Sequence, residues 1–293
     1  MESKAINHES SRARWQAYRR RPLSLLLRLA VTVSAAITVF VLIALVAYIL
    51  IKGIPNLRPS LFAWEYTSEN ASMLPAIINT ITMTVLSLLM AVPVGICSAI
   101  YLVEYAKRGN KLVSLVRVTA ETLQGIPSIV YGLFGFLFLV VACKFGYSIL
   151  SGAITLAIMI LPLILRTTEE ALKAVPDLYR EGSFGLGAGR LRTVFRIVLP
   201  SAVPGILAGV ILAIGRIVGE TAALIYTSGT VAGVPDTLMG SGRTLAVHMY
   251  ALLSNGLYTE EAYATAVVLL VMVIGINALS GWLAKKVSAK QGE

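Results

Sequence analysis

The chain has 293 residues, of which 57% are hydrophobic and 14% charged, and its mean hydropathy is +0.79. A water-soluble domain carries roughly 25% charged residues, so this composition excludes one and places the chain in a bilayer. The net charge of +10 does not read as a nucleic-acid surface, because Lys and Arg fall in short runs between apolar spans and not on a basic face beside stacking aromatics.

Residues 1–28 form a basic tail that holds seven Lys and Arg. The segment 11–28, with Trp15, Tyr18 and its arginines, suits either the anionic inner leaflet or a solvated topology determinant. The first apolar span, 29–51, is longer than a signal-peptide core and no small-residue cleavage site follows, so it is expected to stay as a spanning helix. An outer loop to residue 72 precedes a core of five further apolar spans over 73–284. The second span, 73–103, carries Pro93 and Gly95 and is expected to kink or tilt. The third, 122–143, begins with Gln124, Ser128 and Tyr131 around Pro127. These polar groups serve either a pathway or interhelical hydrogen bonding. A tight turn at Lys144 leads into the fourth span, 145–165.

The loop 167–200 is the most informative stretch. Residues 169–175 read as helical up to Pro176. Pro176 opens a second helix, 176–186, with Asp177 and Glu181 near its positive end. Gly187 falls where a left-handed residue ends a helix. A further amphipathic helix, 190–199, is expected to re-enter the membrane at Pro200. A stiff elbow of this kind can pass movement in a soluble partner to the spans.

The fifth span, 202–224, holds Arg216 and Glu220 four residues apart. Charges at that depth are costly and must face protein or water. They form either an i,i+4 pair that fixes packing or part of a polar pathway, in which the forked guanidinium of Arg216 holds an anion and Glu220 orients it. Gly205, Gly209, Gly215 and Gly219 give this helix a small face, for packing within the chain or against a second subunit. The loop 226–261, with the apolar run from Arg243 through His248 to Leu253, either covers the mouth or merely connects. The sixth span is 262–284, and residues 285–293 form a basic tail. Cys97 and Cys143 lie inside spans and are expected to be packing residues. His8 and His248 make no metal-ligand pattern, and no cofactor is expected.

Of the 25 Lys and Arg, twenty flank alternate ends of the spans, in the two tails and the loops after spans two and four. The bias puts both termini in the cytoplasm, as an even number of spans requires. An intramembrane enzyme is excluded by spans that lack Asp and His. A self-sufficient secondary transporter is disfavoured because no internal repeat is visible. Residues 240–244, Gly-Ser-Gly-Arg-Thr, lack the lysine and spacing of a phosphate loop, so ATP must be bound by another chain.

The elbow resembles the EAA loop of type I ABC importer permeases. Glu181-Gly182-Ser183, Gly187 and Ile197-Val198-Leu199-Pro200 keep its spacing, with Gly182 and Ser183 in place of two alanines. In that family a short coupling helix, here including Pro176, Tyr179 and Arg180, enters a groove on the ATP-hydrolysing subunit. The runs 99–106, 121–135, Arg166-Thr167-Thr168-Glu169-Glu170 and Gly215-Arg216-Ile217-Val218-Gly219-Glu220-Thr221-Ala222 are similar to phosphate-specific permeases of the PstA family, with Thr221 beside the pathway pair. The resemblance implies an all-α, MetI-like fold of six transmembrane helices in a bacterial plasma membrane. It also implies a non-enzymatic role beside a PstC-like second permease, a PstB-like ATPase dimer and a PstS-like external phosphate-binding protein. Phosphonate, sulfate and molybdate are the alternative cargoes, since one arginine suits any of them.

Overall fold

The computed structural model describes residues 22–107 and 109–289. The expectations for segment 11–21, His8, Arg108 and Lys290 lie outside them. The chain divides into two units, Met1–Ile51 and Lys52–Glu293. The described part of the first is one helix, α1 (Pro22–Gly53). Its large apolar side chains, among them Phe40 and Ile43, are exposed, and no charge falls between Arg28 and Lys52. Such a rod is solvated by lipid, since only hydrocarbon accepts that surface without cost.

The second unit is built from α2 (Leu74–Tyr105), α3 (Lys111–Gln124), α4 (Ser128–Ala142), α5 (Ile149–Lys173), α6 (Asp177–Gly185), α7 (Arg190–Val218), α8 (Ala222–Thr227), α9 (Leu245–Asn255) and α10 (Thr259–Ala289). Among the described residues there is no strand. Five helices (α1, α2, α5, α7 and α10) are long and apolar enough to span, and α3 with α4 makes a sixth crossing if the bent pair is one span.

The central element is α5: 67% of its most apolar window is buried, against 33% for α2 and 22% for α10. Leu156, Met159, Ile160 and Ile164 on α5 pack with Met83 of α2, Ile217 of α7 and Leu224 of α8. Small residues let the backbones close up. A Cβ on Gly205 of α7 would stand 2.7 Å from that of Ala171 on α5, and Gly209 faces Thr167 as tightly. Gly215 meets nothing within 4 Å, and Gly219 only its own helix's carbonyl. The first two glycines therefore pack within this chain.

Four expectations need correction. The third span does not start at 122: α3 and α4 meet at a 103° bend, because Pro127 donates no hydrogen bond and disfavours helix at Ile126. The fourth span starts at the Ser148 N-cap, whose side chain accepts from Ser151 N, after a turn with Lys144 and Gly146 at positive φ. The expected separate helix 190–199 is the first part of a longer one. Helix α7 runs unbroken through Pro200 and Pro204, and the wide turns at Val194–Val198 take up the missing donors. Finally, Cys97 and Cys143 are exposed, not packed inside.

Candidate functional site

Two features stand out, a polar elbow at one end of α5 and an arginine inside the apolar zone. At the elbow, α5 ends at Lys173 and α6 begins after Pro176, whose ring fixes the entry angle. Arg180 ties three elements together. Its Nη2 donates to Glu104 Oε1 at 2.7 Å and to the Leu172 carbonyl at 2.9 Å, and its Nη1 donates to the Val175 carbonyl at 2.8 Å. Glu104 sits at the end of α2, and the two side chains are 8% and 15% exposed. One guanidinium thus satisfies the last carbonyls of α5 and grips a carboxylate from α2, the strong, charge-assisted form of contact. Ser183 and Thr193 share a buried hydrogen bond of 2.8 Å that joins α6 to the start of α7.

The turn after α6 needs a left-handed residue, and Gly187 supplies it at φ +82°. Its N–H donates to the Phe184 carbonyl at 2.9 Å. Outward, α6 and its C-cap Leu186 present large apolar groups among polar ones: Leu178 is 74% exposed and Leu186 91%, beside Tyr179 and Phe184. Glu181 and Gly182 are exposed on the same short helix. Next to it opens a cleft of about 930 Å³ lined by Lys107, Lys111, Arg117, Lys173 and Arg190.

Ion pairs carry the elbow's position to α3. The buried carboxylate of Glu169 lies 2.6 Å from both Arg117 on α3 and Lys173 on α5, and Arg166 reaches Glu121 on α3 at 3.3 Å. From α3 the chain turns through the 103° bend into α4. Tyr131 Oη donates across that bend to the Leu123 carbonyl at 2.8 Å, and Gln124 Nε2 donates to the Pro162 carbonyl at 2.9 Å.

Inside the apolar zone, Arg216 and Glu220 do not share a helical face, because α7 stops at Val218. Glu220 is buried, and its Oε1 accepts from Ala223 N at 3.0 Å at the start of α8, a position where a helix favours negative charge. Arg216 forms no ion pair among the described residues. It lines a cleft of about 560 Å³ with Gly215, Leu212 and Asn277, and its charge acts on the Tyr131 phenol. The break at α8 meets the bend at α4 closely: a Cβ on Gly132 would lie 2.8 Å from Ala223 Cα. Gln124, Tyr131, Glu220 and Thr221 are therefore gathered around two discontinuities, while Ser128 lies half-buried at the start of α4. Sequence reasoning missed Glu104, Glu169 and Asn277. The first two sit at span ends where charge is unremarkable, and the only signal for Asn277 is an amide inside the sixth span.

Residues 91–291 match the family described as binding-protein-dependent transport system inner membrane component. The chain belongs to that family and is a PstA-like permease of ABC transporters. It is 32% identical to the probable ABC transporter permease protein YqgI of Bacillus subtilis, over 87% of this chain and 93% of that protein. It is 31% identical to the phosphate transport system permease protein PstA 2 of Mycobacterium bovis, over 92% and 91%, and 35% identical to PstA of Pasteurella multocida, over 77% and 81%. Among solved structures, the fold is shared with the MetNI methionine ABC transporter (TM-score 0.59, 20% identity, 73% of this chain and 95% of that one). It is also shared with a bacterial ABC transporter involved in the import of alginate (TM-score 0.60, 19% identity, 93% and 98%). A membrane permease component of this family is not itself catalytic, and its family implies work with another permease, an ATPase and a binding protein.

Proposed function

We propose that this chain is the PstA-like half of a phosphate importer, which lines the route together with a PstC-like permease. A PstS-like protein delivers phosphate from outside, a separate PstB-like ATPase dimer supplies the work, and both termini face the cytoplasm. The observation that carries the reading is Arg216, a permanent cation without a carboxylate partner among the described residues, set in a cleft of an apolar zone. A guanidinium holds two phosphate oxygens at once, and weak, exchangeable contacts let the cargo leave. Glu220, Thr221, Gln124, Ser128 and Tyr131 shape the same route from the two broken helices. Such breaks suit transport, because freed backbone groups face a cavity there.

In this mechanism α6 is the coupling helix. Its exposed Leu178 and Leu186 enter a groove on the ATPase, and Arg180 passes the motion to α2 while Ser183 passes it to α7. ATP binding closes the ATPases and moves the elbow, and hydrolysis resets it, so the route opens alternately to each side. The test is reconstitution with the partner subunits and measurement of ATP-dependent uptake of phosphate against sulfate, phosphonate and molybdate. Phosphate uptake should fall strongly in Arg216→Ala and partly in Arg216→Lys. Unchanged uptake in both would remove the pathway role, and selective uptake of another oxyanion would reassign the cargo.

A further inference from the structure

At the end of α5 opposite the elbow, residues 228–244 fold over the starts of α2 and α5. Asn79 Nδ2 donates to the carbonyls of Gly233 at 3.0 Å and Arg243 at 3.2 Å, and Leu245 N donates to Thr80 Oγ1 at 2.8 Å. The backbone of Arg243 is also held through its own N–H, which donates to the Val231 carbonyl at 2.9 Å. Its side chain is not held in the same way. Arg243 is 6% exposed and makes no ion pair among the described residues. Its Nε and Nη2 are buried without a hydrogen-bond partner. Those two nitrogens form the edge with which a guanidinium grips two oxygens of one anion.

The neighbours do not supply that anion. The guanidinium carbon lies 4.6 Å from the centre of the Tyr66 ring, and a ring face leaves in-plane N–H groups unsatisfied. Tyr66 meets His248 edge-on at 6.1 Å. His248 is fully buried; among the described residues its ring nitrogens make no well-formed hydrogen bond, and the Ala71 backbone is the one acceptor close enough to favour its protonation. Burial, and then the charge of Arg243, hold the imidazole at about 3, against a smaller opposing pull from the Ala71 backbone. It is therefore neutral and leaves the arginine uncompensated. Buried charges are otherwise paired or bound to ions. Glu65 and Glu69, the carboxylates nearest Tyr66 in sequence, are exposed and form no ion pair.

We propose that Arg243 and His248 form an oxyanion-binding site at this end of the permease, roofed in this conformation by residues 64–72. The roof carries Tyr66; its outer part is bonded to itself, while Ala71 and Ser72 are buried and anchor it, Ser72 Oγ donating to the Leu61 and Ala63 carbonyls. Thr67 N donates to Asn70 Oδ1 at 2.9 Å and Asn70 Nδ2 to the Glu65 carbonyl at 2.8 Å. It ends in Ala71 at φ +43°, a conformation costly for alanine. Swinging its outer part, residues 64–70, about the anchored Ala71 and Ser72 uncovers the guanidinium edge and the imidazole, which donates one N–H when neutral. The ligand is a small tetrahedral oxyanion, met before it reaches Arg216. The inference rests on the reading of the cargo as an oxyanion and adds a second stop on its route.

The experiment uses the complete transporter in detergent, without ATP or binding protein, in an Arg216→Gln background that silences the inner site. Binding of labelled inorganic phosphate, and separately sulfate, is followed by equilibrium dialysis. Saturable binding is expected in this background. Adding Arg243→Gln should weaken it by about tenfold or more, and Arg243→Lys by less, since a point charge keeps the attraction and loses the fork. Tyr66→Ala should tighten binding by removing the roof, a gain that a merely structural cluster does not give and that guards against misfolded variants. Absence of saturable binding of either anion, indifference to Arg243→Gln, or no gain in Tyr66→Ala would each overturn the site. Uptake of phosphate by the wild type with no Arg243-dependent binding removes only this site, whereas sulfate binding here without phosphate uptake removes only the assigned cargo.

Discussion

Gly182 stands inside α6, and a Cβ there would meet nothing within 4 Å. Alanine fills that position in the EAA pattern, and it restricts the unfolded chain more than glycine does. Gly182→Ala is expected to stabilise the chain by about 0.5–1 kcal/mol, read as a higher melting temperature of the solubilised protein. A fall would mean that α6 strains at this residue. His248 makes a different prediction. Its pKa is about 3 in the fold and 6.5 in a free chain, so the unfolded chain takes up a proton that the folded chain refuses. Stability is full above pH 6.5 and is lost as pH falls towards 3, by about 2–3 kcal/mol at pH 4.5. Arg243, the Tyr66 ring edge and the Ala71 backbone face the imidazole, and none of them titrates in that window. The melting temperature should drop between pH 7 and 4.5, and His248→Gln should flatten the drop. Arg216 was legible in the sequence because a charge in an apolar run is conspicuous. The Glu104–Arg180 pair was not, because its members are 76 residues apart and only packing brings them together.

Among the elements, the apolar runs fell on the five helices long enough to span and on the bent pair α3–α4, since lipid demands about 20 such residues wherever a helix spans. The discontinuities were harder to see. Pro127 was visible, but whether a proline kinks a helix or turns it by 103° depends on what satisfies the freed carbonyl, here Tyr131 Oη on Leu123, and on what braces the bend, here Gln124 on the Pro162 carbonyl of α5. The break after Val218 carries no proline at all. Its signal is the run Gly219-Glu220-Thr221, in which a carboxylate caps the next helix. The joint between α2 and α6 can be tested directly. Glu104→Gln and Arg180→Ala should each cost about 1–3 kcal/mol, since each leaves a buried partner unsatisfied. The double variant should cost less than the sum. Transport per ATP hydrolysed by the assembled complex should fall several-fold in either single variant, and unchanged coupling would show that α2 takes no part in transmission.

For the molecule as a whole, the distribution of Lys and Arg sets an orientation that labelling can check. With Cys97→Ser and Cys143→Ser as background, cysteines at Leu186 and at Leu257, which are 91% and 82% exposed, lie at opposite ends of the bundle. A membrane-impermeant maleimide should reach position 257 in right-side-out vesicles and position 186 only in inverted ones. The reverse pattern would invert the proposed topology.

The unbroken run of α7 has a thermodynamic consequence. Its 29 residues make a rod of about 44 Å, with the elbow at one end and Arg216 in the last turn at the other. No break in the helix separates the two, so on the proposed route an anion bound at one end is coupled to the elbow at the other. Linkage then works both ways: if nucleotide on the distant ATPase alters how tightly Arg216 holds its cargo by some factor, the cargo must alter nucleotide affinity by that same factor. An empty route and a loaded one would then present the engine with two different nucleotide dissociation constants, and the cargo itself would report its arrival.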